Sequence, residues 1–215
     1  MLFCPKLEMW HIEAFDEIGI KKSANNIDRN FAIYPQRFYK TVQSFSQKKE
    51  FDFCFIGAFA IDEATWSRRS WIIPFIKSHF GDRSYLQFTD RVTKARHLTM
   101  GTYDFTLKRQ GFVPKQMPVA VRNFFDDHYF RTLCASEFTL CPGGDQNWSM
   151  RFYEALMCKS IPIMLDRTAF RTQAEANLPY KYFVVGDTIE YHTDWAEHNY
   201  KLFLKYHTLD RKSVV

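Results

Sequence analysis

The sequence predicts an α/β fold of the Rossmann-like kind, a mostly parallel sheet with helices on both faces. Three observations carry that prediction. From Phe51 onward, short apolar runs alternate with stretches of helical periodicity. No internal repeat or low-complexity tract interrupts them. An apolar fraction of 46% with 18% aromatic residues in 215 residues is enough for one sizeable core and argues against disorder.

The elements follow in order. "FDFCFIGAF" reads as a strand, "TWSRRSWIIPFIKSHF" as a helix and "YLQFT" as the next strand. The pattern then recurs, with "NFFDDHYFRTLCAS" as helix, "EFTLC" as strand, "SMRFYEALMCK" as helix, and "IPIML" and "KYFVV" as strands. At the end, "DWAEHNYKLFLKYH" places Trp195, Asn199, Leu202, Phe203 and Tyr206 at helical spacing, which predicts an amphipathic helix lying on the body. Residues 1–50 form an amino-terminal extension or partial layer with a polar break at "KKSANNIDRN", and residues 51–215 form the Rossmann-like domain.

In an open parallel sheet, ligands bind beyond the carboxyl ends of the strands, where loops lead into helix starts. One such loop leads to Arg68 and Arg69. The other is "CPGGDQNWSMRFYEAL", which sets Gly143 and Gly144 before a helix that Ser149 can cap. The glycines can take positive φ and admit a ligand close to the backbone. Arg151 falls in the first turn of that helix, beside the positive end of its dipole, where a cation is unfavourable unless an anion joins it. A diphosphate would supply that charge, and the planar guanidinium suits its oxygens. Glu154, three residues on, shares the face of Arg151; it either accepts the hydroxyls of a ribose or forms a salt bridge to Arg151.

The segment "YFRTLCASEFTLCPGGDQNWSMRFYEALMCKSIPIML" resembles the donor-binding segment of exostosin-type glycosyltransferases. In that family a Tyr-bearing helix, "S-x-F-x-L-x-P-x-G", "S-x-R-x-x-E-A" and an "I-P-V" strand recur in this order. Tyr129, Ser136, Phe138, Leu140, Pro142, Gly144, Ser149, Arg151, Glu154, Ala155, Ile161 and Pro162 match, and the likeness spans roughly residues 51–187. It implies the carboxy-terminal, nucleotide-sugar-binding half of a GT-B fold and a transferase that needs no bound metal or other cofactor. The donor, a nucleotide-diphosphate sugar of the UDP type, would be the co-substrate, and a glycan or glycoprotein hydroxyl the acceptor. Gly143, Gly144, Trp148, Ser149, Met150, Arg151 and the Arg68–Arg69 loop would meet the donor, with Glu154 on its ribose.

Two departures from the family pattern stand out. Lys159 occupies the helix end where the family usually has Gly, and the amino-terminal half is far shorter than the family's acceptor domain. Candidate general bases are Asp62, Glu63 and Asp145, with His11, Glu13 and Asp16 in the extension; a base would take the proton of the acceptor hydroxyl as it attacks the anomeric carbon. Trp66 and Trp71 are further candidates to stack on sugar or base, after Trp148.

Competing classes leave weaker traces. Asp126, Asp127 and His128 in "FFDDHYF" offer ligands for Mn²⁺ in the manner of a GT-A transferase, although acidic residues also favour a helix start. A non-catalytic nucleotide-sugar or glycan-binding module, half of a split transferase, fits the short amino-terminal part. A P-loop kinase or sulfotransferase lacks its "G-x-x-x-x-G-K". The net charge of +5 comes from 29 basic and 24 acidic residues spread along the chain, which argues against a nucleic-acid track. The five cysteines are odd in number without paired spacing and read as buried thiols. Acidic residues arrive too early for a signal peptide, and no run of ~18 apolar residues spans a bilayer, so the expected location is cytoplasmic.

Overall fold

A computed structural model describes residues 32, 34, 36–57, 67–88, 127–144 and 146–208. Along the chain run α1 (Gln36–Gln43), β1 (Phe51–Gly57), α2 (Ile72–His79), β2 (Ser84–Phe88), α3 (Asp127–Cys134) and β3 (Ser136–Leu140). There follow α4 (Met150–Met157), β4 (Ile161–Met164), the short α5 (Gln173–Ala176), β5 (Phe183–Val184) and α6 (Thr193–Tyr206). Among the described residues the strands form one five-stranded sheet in the order β2-β1-β3-β4-β5, with every neighbouring pair parallel. The predicted Rossmann-like α/β architecture is therefore present.

Side chains alternate across the sheet, as the two-residue period of a strand demands. Cys54 of β1 faces the core shared with α3 and α4, where Phe130, Leu133, Phe152 and Leu156 are buried. Its neighbour Phe55 faces the opposite core, with Ile72, Ile73, Phe75 and Ile76 of α2 and Phe138, Leu140, Ile161 and Ile163 of β3 and β4. Both faces are thus covered, which is why these strands read as nearly continuous apolar runs. Phe53 adds a stacked contact on Phe138, with ring centroids 5.2 Å apart.

Local chemistry sets the element ends. Pro74 is tolerated in α2 because it lies in the first turn, where its missing N–H would have had no intrahelical partner. The predicted helix from Thr65 is broken in two: residues 67–69 are helical, a turn follows, and α2 begins at Ile72. In α6 the polar Asn199 belongs on the inner face because its amide pairs with the backbone of Lys181, accepting from N at 2.8 Å and donating to O at 2.6 Å. Cys54, Cys134, Cys141 and Cys158 are buried free thiols; Cys4 lies outside the described residues.

The described part of the amino-terminal fifty residues is built into the same body. Tyr34 forms a parallel bridge with Thr208, and Ala32 N donates to the buried Glu175 at 2.8 Å. Tyr34, Tyr39, Val42 and Phe45 join the core that α3, α4 and α6 share.

Chain order turns the crevice into a predictable place. β1 lies between β2 and β3, so the crossovers leave β1 and β3 in opposite directions and the loops after these two strands part. Ligands of doubly wound sheets bind at that switch point, outside the carboxyl ends of the two strands.

Candidate functional site

The loop after β3 enters the crevice and starts α4. Ser149 is extended (φ −141°, ψ 141°), and its hydroxyl accepts from Arg151 N at 3.2 Å, a side-chain N-cap. Gly144 N donates to Trp148 O at 3.1 Å and closes the loop on itself. Neither Gly143 nor Gly144 takes the positive φ that the sequence suggested. Gly143 is required for space instead: a Cβ there would lie 2.7 Å from Gln146 O and 2.9 Å from Asn147 O, both backbone atoms.

Arg68 and Arg69 meet this loop from the other side of the crevice. Arg68 Nε donates to Gly144 O at 2.9 Å, and Arg69 Nε to Gly143 O at 2.7 Å. The two cations thus fix the glycine carbonyls and bring positive charge to the loop. Sequence reasoning assigned them to phosphate alone and did not foresee their hold on the backbone.

Arg151 runs from the first turn of α4 to the end of β1. Its Nη2 donates to Ile56 O at 2.7 Å, and its guanidinium lies over the Phe55 ring, 5.0 Å from the centroid. Gly57 makes room, since a Cβ there would sit 2.5 Å from Nη2. Arg151 Nε and Nη1 are buried and carry no hydrogen-bond partner. Burial opposes its charge, but the neighbouring Tyr129 hydroxyl and the Glu154 carboxylate outweigh that and hold the guanidinium pKa above its usual value. A buried cation with unsatisfied N–H groups is costly by itself and gains from an anion.

Glu154 does not pair with Arg151. Its Oε2 accepts from the Tyr129 hydroxyl of α3 at 2.6 Å, and the side chain is buried. Tyr34 approaches the same turn, its hydroxyl donating to Met150 O at 3.3 Å. Burial, then the Glu154 charge, push both the Tyr34 and Tyr129 hydroxyls well above the usual tyrosine range, so both remain protonated donors.

The crevice thus gathers Arg68, Arg69, Gly143, Gly144, Trp148, Ser149, Met150, Arg151 and Glu154 on or beside the α4 start. Trp148 is half-buried against the α3–α4 core. Trp71 is in the opposite core, edge-on to Phe75, which leaves it no face for a sugar. Asp62, Glu63, Asp145, His11, Glu13, Asp16, Trp66 and Asp126 lie outside the described residues. Asp127 pairs with Arg131 at 3.6 Å and His128 Nε2 with the Tyr85 hydroxyl at 2.7 Å, and no cluster of three or more metal-binding side chains exists among the described residues. Tyr129 and Gly57 were missed as site residues. Tyr129 stood in the matched motif, and a glycine at the end of an apolar strand is a known sign of close approach by another group.

Comparison with family models bears on this geometry. The model of the Exostosin GT47 domain matches residues 33–192, more than half of the 215-residue chain. No curated protein matches the chain. No helix among the described residues is long and apolar enough to cross a membrane.

Proposed function

We propose, because this chain belongs to the exostosin GT47 family of glycosyltransferases, that it transfers a hexosyl or pentosyl group from a UDP-linked sugar to a glycan hydroxyl. The acceptor oxygen attacks the anomeric carbon, the bond from that carbon to the diphosphate breaks, and the nucleoside diphosphate leaves with the electron pair. A base takes the acceptor proton; Asp62, Glu63 and Asp145 are the candidates. The observation that carries the proposal is the half-buried Arg151, with its buried Nε and Nη1 unsatisfied, at a helix start on the switch point of a parallel sheet.

In this proposal the diphosphate lies at the α4 start, where backbone N–H groups and Arg151 stabilise the negative charge that grows as the leaving group departs. Arg68 and Arg69 hold the glycine loop in shape and add positive charge. Glu154 accepts a ribose hydroxyl through Oε1, the oxygen that Tyr129 does not engage. Charge on the leaving group is met by arginines and helix dipole, so no divalent metal is required, and the Asp127–His128 turn takes no part.

Calorimetry with UDP in the presence of a chelator tests the proposal. The parent chain should bind, and Arg151→Ala should weaken binding by about 1.5–3 kcal/mol, the worth of a hydrogen bond to a charged group. Binding that disappears on chelation would transfer the donor site to a metal. Release of free sugar from the donor, or its transfer to an oligosaccharide, separates an enzyme from a module that only binds.

A further inference from the structure

Arg151 and Glu154 stand three residues apart on one helix, where opposite charges ordinarily meet. Two competing bonds keep them apart. Arg151 Nη2 is drawn to Ile56 O at 2.7 Å, and Glu154 Oε2 is held by the Tyr129 hydroxyl at 2.6 Å. Glu154 is only 8% exposed, and a carboxylate so placed is costly without a donor. Tyr129 supplies that donor from a different helix, α3. Because burial and the Glu154 charge keep the phenol protonated, the direction of donation is fixed.

We infer that Tyr129 is a positioning residue: it holds the Glu154 carboxylate off Arg151 and toward a ribose hydroxyl, so that the guanidinium stays available to an anion. The inference rests on the donor-site assignment made above. Without the phenolic hydroxyl, the cation nearest along the helix to a buried carboxylate is Arg151. Their pairing would neutralise the anion site and withdraw the ribose acceptor in one movement. Tyr129 thereby couples the two halves of nucleotide recognition without touching the nucleotide.

The test uses the full chain and two probes, inorganic pyrophosphate and UDP, titrated into the parent, Tyr129→Phe, Glu154→Gln and the double variant. Phenylalanine keeps the ring and its edge contact with Phe130, whose centroid is 5.0 Å away. Tyr129→Phe should weaken both ligands about tenfold or more, the factor of one charge-assisted hydrogen bond. Adding Glu154→Gln should bring pyrophosphate affinity back to within about threefold of the Glu154→Gln single variant, because a neutral amide does not neutralise Arg151. A loss through misfolding would not be rescued in this way. Unchanged pyrophosphate affinity in Tyr129→Phe, or a loss that persists in the double variant, overturns the inference and leaves the donor site standing. A parent chain that binds neither probe overturns the donor site, and the inference with it.

Discussion

At the scale of single residues, the site depends on a glycine that touches no ligand. Gly57 ends β1, and the Arg151 guanidinium occupies the space where its side chain would be: a Cβ would meet Nη2 at 2.5 Å and Cζ at 3.4 Å. The obstructed group is the far end of a flexible side chain, so Gly57→Ala leaves the fold a way out by moving the guanidinium off Ile56 O. That relief is local. Thermal stability should change little, within ~0.5–1 kcal/mol, since Ala in a strand end recovers backbone entropy that Gly loses. Affinity for UDP should instead fall nearly as far as in Arg151→Ala, by about 1.5–3 kcal/mol. Paired melting curves and calorimetry check both halves, and a variant with unchanged affinity would show that the guanidinium does not need this position.

At the scale of elements, α4 is the part most fully written in the sequence, apart from its last turn. Ser149 caps its start as the motif suggested. Its end is a Schellman turn, with Lys159 N donating to Leu156 O at 3.2 Å and Ser160 N to Ala155 O at 3.0 Å. That turn needs a left-handed residue, and Lys159 provides it at φ 52°, where glycine is the ordinary choice. The strain is offset only in part by a 2.7 Å ion pair with Glu197 and by the Tyr200 ring, 4.8 Å from Nζ. A left-handed conformation costs a non-glycine residue about 1–2 kcal/mol, whereas a half-exposed ion pair contributes only about 0.2–1. Lys159→Gly should therefore be more stable than Lys159→Ala by roughly 1 kcal/mol. Denaturant unfolding of the two variants decides it; equal midpoints would mean that the turn relaxes when the lysine is removed.

The same helix shows which parts of the site a sequence carries. The cap, the glycines and the Arg151–Glu154 spacing are local, so they could be read directly. The bond from Tyr129 to Glu154 spans 25 positions, and that from Arg151 to Ile56 O spans 95. Both exist only because the sheet order puts α3 beside α4 and β1 beside β3. Spacing along α4 alone favoured an Arg151–Glu154 salt bridge as much as a ligand site; the tertiary partners Ile56 O and Tyr129 leave the two side chains without a mutual salt bridge. Strand and helix types were legible from periodicity, while the break after Arg69 was not, because the Arg68 and Arg69 bonds that accompany it run to a loop some 75 residues away.

At the scale of the whole molecule, the sequence suggested a domain beginning at Phe51, and the packing argues that such a piece would not stand alone. Tyr34, Tyr39, Val42 and Phe45 are all buried in the core that also holds Phe152, Tyr153 and Phe203. Complete burial of side chains of this kind contributes about 1.5–3 kcal/mol each, so four of them supply about 6–12 kcal/mol, as much as the entire net stability of a typical domain. Polar ties add to this. Glu175, fully buried, accepts from Ala32 N at 2.8 Å and from the Tyr153 hydroxyl at 2.6 Å. His207 Nδ1 donates to Ala32 O at 2.7 Å, and Tyr34 N donates to His207 O at 2.8 Å. Removing the segment would leave Glu175 without one of its hydrogen bonds and His207 without two, and unmet buried polar groups cost about 1–3 kcal/mol apiece. A fragment of residues 51–215 should therefore lack a cooperative melting transition, whereas a fragment of residues 32–215 retains one. Scanning calorimetry of the two distinguishes them; a sharp transition in the shorter fragment, at the midpoint of the longer, would show that the first strand opens an independent domain and that the buried amino-terminal side chains only decorate it.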